Sequence, residues 1–208
     1  MKPSPDSFSD LFDSIDQAFI EQHIQRLDAR YFDRFDQDIQ KLHLSELYHL
    51  SPEQPTRMLL SQEEDNRVTC TILGFDYPSE FSLLTGIFTG YGFNILSGDI
   101  FTYDRLSRDQ IKGSSLENNT LLQRRRIIDY FSGTTDTDLP FPRWKEELEA
   151  NTLEITKLLE KGTPESSAEA KHRVNDLVAK RLGNLDKKKK KILFPVDIDI
   201  SNTSQERT

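Results

Sequence analysis

Residues 67–103 constrain the fold more than any other stretch of the chain. Arg67-Val68-Thr69-Cys70-Thr71-Ile72-Leu73 places β-branched residues in alternation, which suits a pleated surface and predicts a strand. The turn Gly74-Phe75-Asp76-Tyr77-Pro78-Ser79 follows, with Pro78 closing the extended segment and Ser79 expected as helix N-cap. The next residues put Phe81, Leu84, Phe88 and Tyr91 on one helical face, with Leu83 and Ile87 beside them. Gly90 and Gly92 end the helix, and Phe93–Tyr103 reads as a second strand. A strand, a helix and a strand joined this tightly must pack the helix against the sheet. The first helical turn then offers backbone N–H groups to an anionic small molecule.

The flanking sequence is more helical. Residues 7–50 read as helices, with Phe8, Leu11, Phe12, Ile15, Phe19 and Ile20 on one stripe and a second apolar run from Ile24 to Leu50. Pro52 and Pro55 punctuate its end. Residues 104–123 lack periodicity and are expected as a long loop. Ile127–Phe131 is the expected third strand, ended by Ser132-Gly133. Pro140 and Pro142 introduce one helix, and a second, beginning after Gly162-Thr163-Pro164, is expected to stop at Gly183-Asn184. Ile192–Ile200 reads as a fourth strand, with Pro195 favouring an edge or a bulge.

The predicted class is therefore α+β, with elements in the order βαββαβ plus an N-terminal helical arm. The expected divisions are a helical connector over 1–58, a sheet domain over 64–202 with the loop 104–123 and a helical insertion 141–183, and a polar tail over 203–208.

Composition excludes several functions. A net charge of −8 opposes nonspecific nucleic-acid binding, which needs a positive face. No apolar run approaches the roughly 20 residues that span a bilayer, and no signal peptide is evident, so a cytoplasmic protein is expected. The sequons at Asn118 and Asn202 are then chance matches. Lys187–Lys191 reads as a solvated linker and Arg124–Arg126 as the exposed start of a strand. A single cysteine, Cys70, lies in an apolar strand and is expected to be buried and inert.

Catalytic chemistry finds little support. A nucleotidyltransferase needs a Gly-Ser turn and, about a dozen residues on, paired aspartates for metals. Gly113-Ser114 lies far from Asp197-Ile198-Asp199, and Asp136-Thr137-Asp138 sits in a turn after a strand. His23, His43, His49 and His172 have no metal-ligand spacing, so packing or capping roles are expected. No catalytic residue, metal ligand or cofactor is expected.

The stretch 67–103 resembles the opening β-α-β of an ACT domain, a ferredoxin-like regulatory fold, on Asp76, Pro78, Leu84, Thr85, Gly86, Gly92, Asn94 and Ile95, and the resemblance implies an antiparallel βαββαβ sheet with helices on one face. Arg30-Tyr31-Phe32 with Ile39–Leu44, the strand around Asp129, the helix from Trp144 and Asp197–Asn202 are similar to the segments flanking the first ACT repeat of bacterial uridylyltransferases that act on PII-type signal proteins. The nucleotidyltransferase and HD domains of that family are not found in this sequence, and the chain is expected to be a regulatory fragment or a relative of such an enzyme. The resemblance implies an amino-acid effector, glutamine in that family, held at Asp76, Tyr77, Pro78, Ser79, Glu80, Phe81, Asn94 and Ile95. It also implies side-by-side pairing with a second copy or another ACT repeat. One departure stands out: Ser79 occupies a position that is usually glycine, and Glu80 would repel a ligand carboxylate. The alternative is a protein-interaction module that pairs without binding a ligand.

Overall fold

The structure is a computed structural model and describes residues 1–63, 67–112 and 119–188. Its order is a 3-10 helix Pro5–Leu11, then α1 Gln17–Arg26, α2 Ala29–Arg34, α3 Gln37–Tyr48, β1 Thr56–Gln62, β2 Arg67–Phe75, α4 Glu80–Gly90, β3 Phe93–Thr102, α5 Arg108–Ile111, α6 Thr120–Gln123, β4 Arg126–Thr135, α7 Phe141–Glu160 and α8 Pro164–Lys188. The class is α+β. The four strands form one antiparallel sheet in the order β1-β2-β4-β3. β4 lies between β2 and β3, so β2-α4-β3 is a split β-α-β unit.

Several expectations are corrected. β1, from Thr56 to Gln62, was not expected; it is antiparallel to β2 and takes the place on that side of it. The division at residue 58 cuts through this strand. β4 runs to Thr135, so Ser132-Gly133 lies inside it. Gly183 lies within α8 and does not end it. The apolar stripe Phe8–Ile20 spans two helices, not one. The predicted strand Ile192–Ile200 and the tail 203–208 lie outside the described residues, as do Gly113-Ser114 and both sequons.

Helices cover both faces of the sheet, not one. Cross-strand partners share a face. Cys70, Ile72, Phe131 and Asp129 face α4 and α7, where Phe131 meets Phe88 and Phe81 at ring distances of 5.2 and 6.3 Å. Leu73, Phe75, Arg126, Ile128 and Tyr130 face the N-terminal helices, where Tyr31 meets Phe101 at 5.5 Å and Phe35 meets Tyr130 at 5.8 Å. Double cover explains why β2 is buried without a break from Cys70 to Phe75.

α8 packs across α4, and the contact depends on two glycines one turn apart. A β-carbon on Gly86 would come within 2.4 Å of Val174 Cγ1, and one on Gly90 within 2.9 Å of Leu177 Cβ. Trp144 fastens α7 to the end of α4 by donating its indole N–H to the Tyr91 carbonyl at 2.9 Å. Cys70 is fully buried, and burial pushes its thiol well above the ordinary range, as expected of an inert side chain. His23 and His43 are buried beside tyrosine hydroxyls, at 2.6 Å from Tyr103 and 3.2 Å from Tyr31, and burial lowers them to about 3 and about 4. No helix among the described residues is long and apolar enough to cross a membrane.

Candidate functional site

The turn between β2 and α4 gathers six of the eight expected ligand residues. Asp76 donates its N–H to the Arg125 carbonyl at 3.1 Å, and its carboxylate pairs with the Arg125 guanidinium at 2.6 Å. Tyr77 is nearly buried. Its hydroxyl donates to Glu160 at the end of α7, and Arg124 grips the same carboxylate with two bonds of 2.9 and 2.8 Å. The Arg124 guanidinium also lies over the Phe75 ring, 3.6 Å from its centroid. The turn is thereby tied to both β4 and α7.

Ser79 precedes α4 with φ +64°, in the left-handed region that favours glycine, and its side chain makes no capping bond. The expectation of a serine cap is corrected. Glu80 supplies what the serine does not: its Oε2 accepts the Tyr77 N–H at 3.1 Å. A carboxyl group of the chain itself thus sits on an amide of the turn where an effector carboxylate was expected. Glu80 is 4% exposed. Burial holds it well above the usual carboxylate range, with Asp129 and Asp76 adding to the rise against the Tyr77 bond.

Asn94 and Ile95 lie elsewhere. Asn94 pairs with Thr134, which is also opposite Arg67, whereas Phe75 is opposite Arg126. Eight residues of β4 separate the two ends, about 26 Å at strand rise. Within one chain Asp76 and Asn94 cannot hold the same small molecule.

Sequence reasoning missed Arg124, Arg125, Asp129 and Glu160. Asp129 carried the clearest signal, a carboxylate inside the apolar run Ile127–Phe131. It is 2% exposed, and burial, then Asp76, raises it to about 7. Arg126, expected at an exposed start of a strand, is fully buried. It donates to the carbonyls of Leu47, Leu121, Leu122 and Arg124 over 3.1–3.4 Å, and burial lowers it to about 10. A surface depression of about 660 Å³, lined by Pro142, Arg143, Glu146, Glu147, Ala150 and Asn151, contains none of the expected residues.

Among the described residues no group of three or more His, Cys, Asp or Glu side chains could hold a metal ion. Comparisons with protein-family models and with curated proteins give no match.

Proposed function

We propose that the chain is a regulatory, non-catalytic module of the ACT type, related to nitrogen-signalling uridylyltransferases, that works by pairing along a sheet edge and not by capturing a free amino acid at the turn. The observation that carries this reading is the bond from Tyr77 N–H to Glu80, which fills the anion position of the turn with the chain's own side chain. The split β-α-β unit supports the fold assignment. β3 is an edge strand with Leu96 65% and Ile100 41% exposed, an apolar rim open to a second copy or another ACT repeat.

A second reading, an amino-acid sensor with a glutamine-like effector, is favoured by the backbone of Ser79. A non-glycine residue held at positive φ stores strain of the kind found at ligand clamps. Sedimentation of the wild type against Leu96→Lys/Ile100→Lys, with calorimetry over glutamine and other amino acids, separates the two. Pairing that the lysines abolish, without binding heat, is the expected result. Saturable heat that Asp76→Ala removes would replace the first reading with the second.

A further inference from the structure

The N-terminal helices meet the sheet through a layer of polar rings. His23 on α1 and His43 on α3 are buried, and so are Tyr31 on α2 and Tyr103 just beyond β3. Each histidine spends Nδ1 on one tyrosine hydroxyl, at 2.6 Å for His23 with Tyr103 and 3.2 Å for His43 with Tyr31. The His23 ring also stands edge-on to Tyr31 and Phe32, and the His43 ring to Phe35, at centroid distances of 4.9–6.1 Å. His23 Nε2 is buried without a hydrogen-bond partner.

The layer holds positive charge and no acid. Arg126 from β4 is fully buried with its guanidinium 4.7 Å from the Phe19 ring, and Arg26 from α1 lies 5.0 Å from the Tyr103 ring. Both donate to backbone carbonyls. Among the described residues neither arginine forms an ion pair, and neither does His23 or His43. Arg126 and His43 both oppose charge on His23, and among the described residues no carboxylate acts on it in return. The carboxylate that favours charge on His43 is Asp36, which is exposed and caps α3 by accepting the Ile39 N–H at 2.9 Å. Burial keeps the Tyr31 and Tyr103 hydroxyls protonated, so they supply no countercharge. A protonated His23 needs an acceptor at each ring nitrogen and finds one at Nδ1 alone.

We propose that the N-terminal helices are an acid-released cover: protons taken up by His23 and His43 detach α1, α2 and α3 from the sheet and bare the apolar face of Leu73, Phe75 and Ile128. Both imidazoles are neutral in the docked layer and recover water, and with it their ordinary affinity for protons, only when the helices leave. Docking is therefore at full strength above the ordinary histidine value of 6.5 and weakens as pH falls toward about 4 and about 3. At pH 5 the released state gains about 30-fold from each histidine and about 1,000-fold from the two together. The other face answers acid in the opposite sense. Glu80 and Asp129, beneath α4 and α7, hold their protons above the usual carboxylate range, so acid steadies that face while it loosens this one. The covering helices precede β1 in the chain and contribute no residue to the ladders of the sheet, so they can leave without breaking a strand pair. Release of the cover is independent of whether the chain pairs along β3 or takes an effector at the turn.

Amide hydrogen exchange of the full chain at pH 7.5 and pH 5, with each rate referred to that of an unstructured amide at the same pH, tests the proposal. Protection over residues 17–48 is expected to fall by about 1,000-fold, while Glu80–Gly90 and Phe141–Glu160 keep theirs. In His43→Phe the loss over Gln17–Arg26 should shrink to about 30-fold, because one proton site is gone. Equal loss in both groups of helices means global unfolding and overturns the proposal, as does protection over residues 17–48 that is the same at the two pH values. The full loss retained in His43→Phe overturns it too. If that variant does not fold, the wild-type profile decides alone.

Discussion

Replacing Asp129 by asparagine should change how stability depends on pH. In the folded chain Asp129 keeps its proton up to about pH 7, because burial disfavours the charged form and Asp76 adds repulsion. The unfolded chain releases that proton near 3.8. Between those values the folded state binds more protons than the unfolded state, so stability falls as pH rises and the loss is complete above about 7. At about 1.4 kcal/mol per tenfold, the interval amounts to about 4 kcal/mol. Asp129 is 2% exposed, so solvent screening does not reduce this much. Asparagine has nearly the same shape and cannot ionise. Urea unfolding of both proteins from pH 4 to pH 9 gives the comparison directly. The variant should gain on the wild type by about 4 kcal/mol between pH 4 and pH 8. Glu80 is also raised by burial, and losing the Asp129 charge in the variant reduces that rise, so its contribution adds to the difference with the same sign. Stability curves that run parallel across this range would refute the assignment of a buried, protonated Asp129.

Ser79→Gly should stabilise the chain by about 1 kcal/mol in denaturant unfolding, because glycine adopts φ +64° without steric cost and the serine side chain caps nothing. Gly86→Ala should destabilise by about 2 kcal/mol by driving a methyl group into Val174, and adding Val174→Ala should recover more than half of the loss in a double-mutant cycle. Arg126→Met should cost about 3 kcal/mol or more in chemical denaturation, since four backbone carbonyls lose a buried donor that methionine cannot replace.

What could be read from the sequence depended on how many elements a residue answers to. The helix Glu80–Gly90 follows from a local period, and β2 from local β-branching; both were legible. β1 was not, because Thr56-Arg57-Met58-Leu59-Leu60-Ser61-Gln62 has one β-branched residue and follows two prolines. Its strand character comes from pairing with β2 and from α7 covering Met58 and Leu60. The second helical layer left a trace that alternation alone conceals: Ile72 and Leu73 in β2, and Ile127 and Ile128 in β4, are consecutive apolar residues, the pattern of strands covered on both faces. The site divides along the same line. The turn residues 76–81 are contiguous and were found together. Asn94 was joined to them by resemblance, and only the register of β3 on β4 reveals the length of sheet between them. Thr56, Gly74 and Asp129 come from three strands, and nothing local to any of them says that they lie on one face of the sheet. A buried carboxylate in an apolar strand is the one local clue of that kind here. It shows that something must compensate Asp129, and its burial on the sheet face covered by α4 and α7 is what keeps a proton on it.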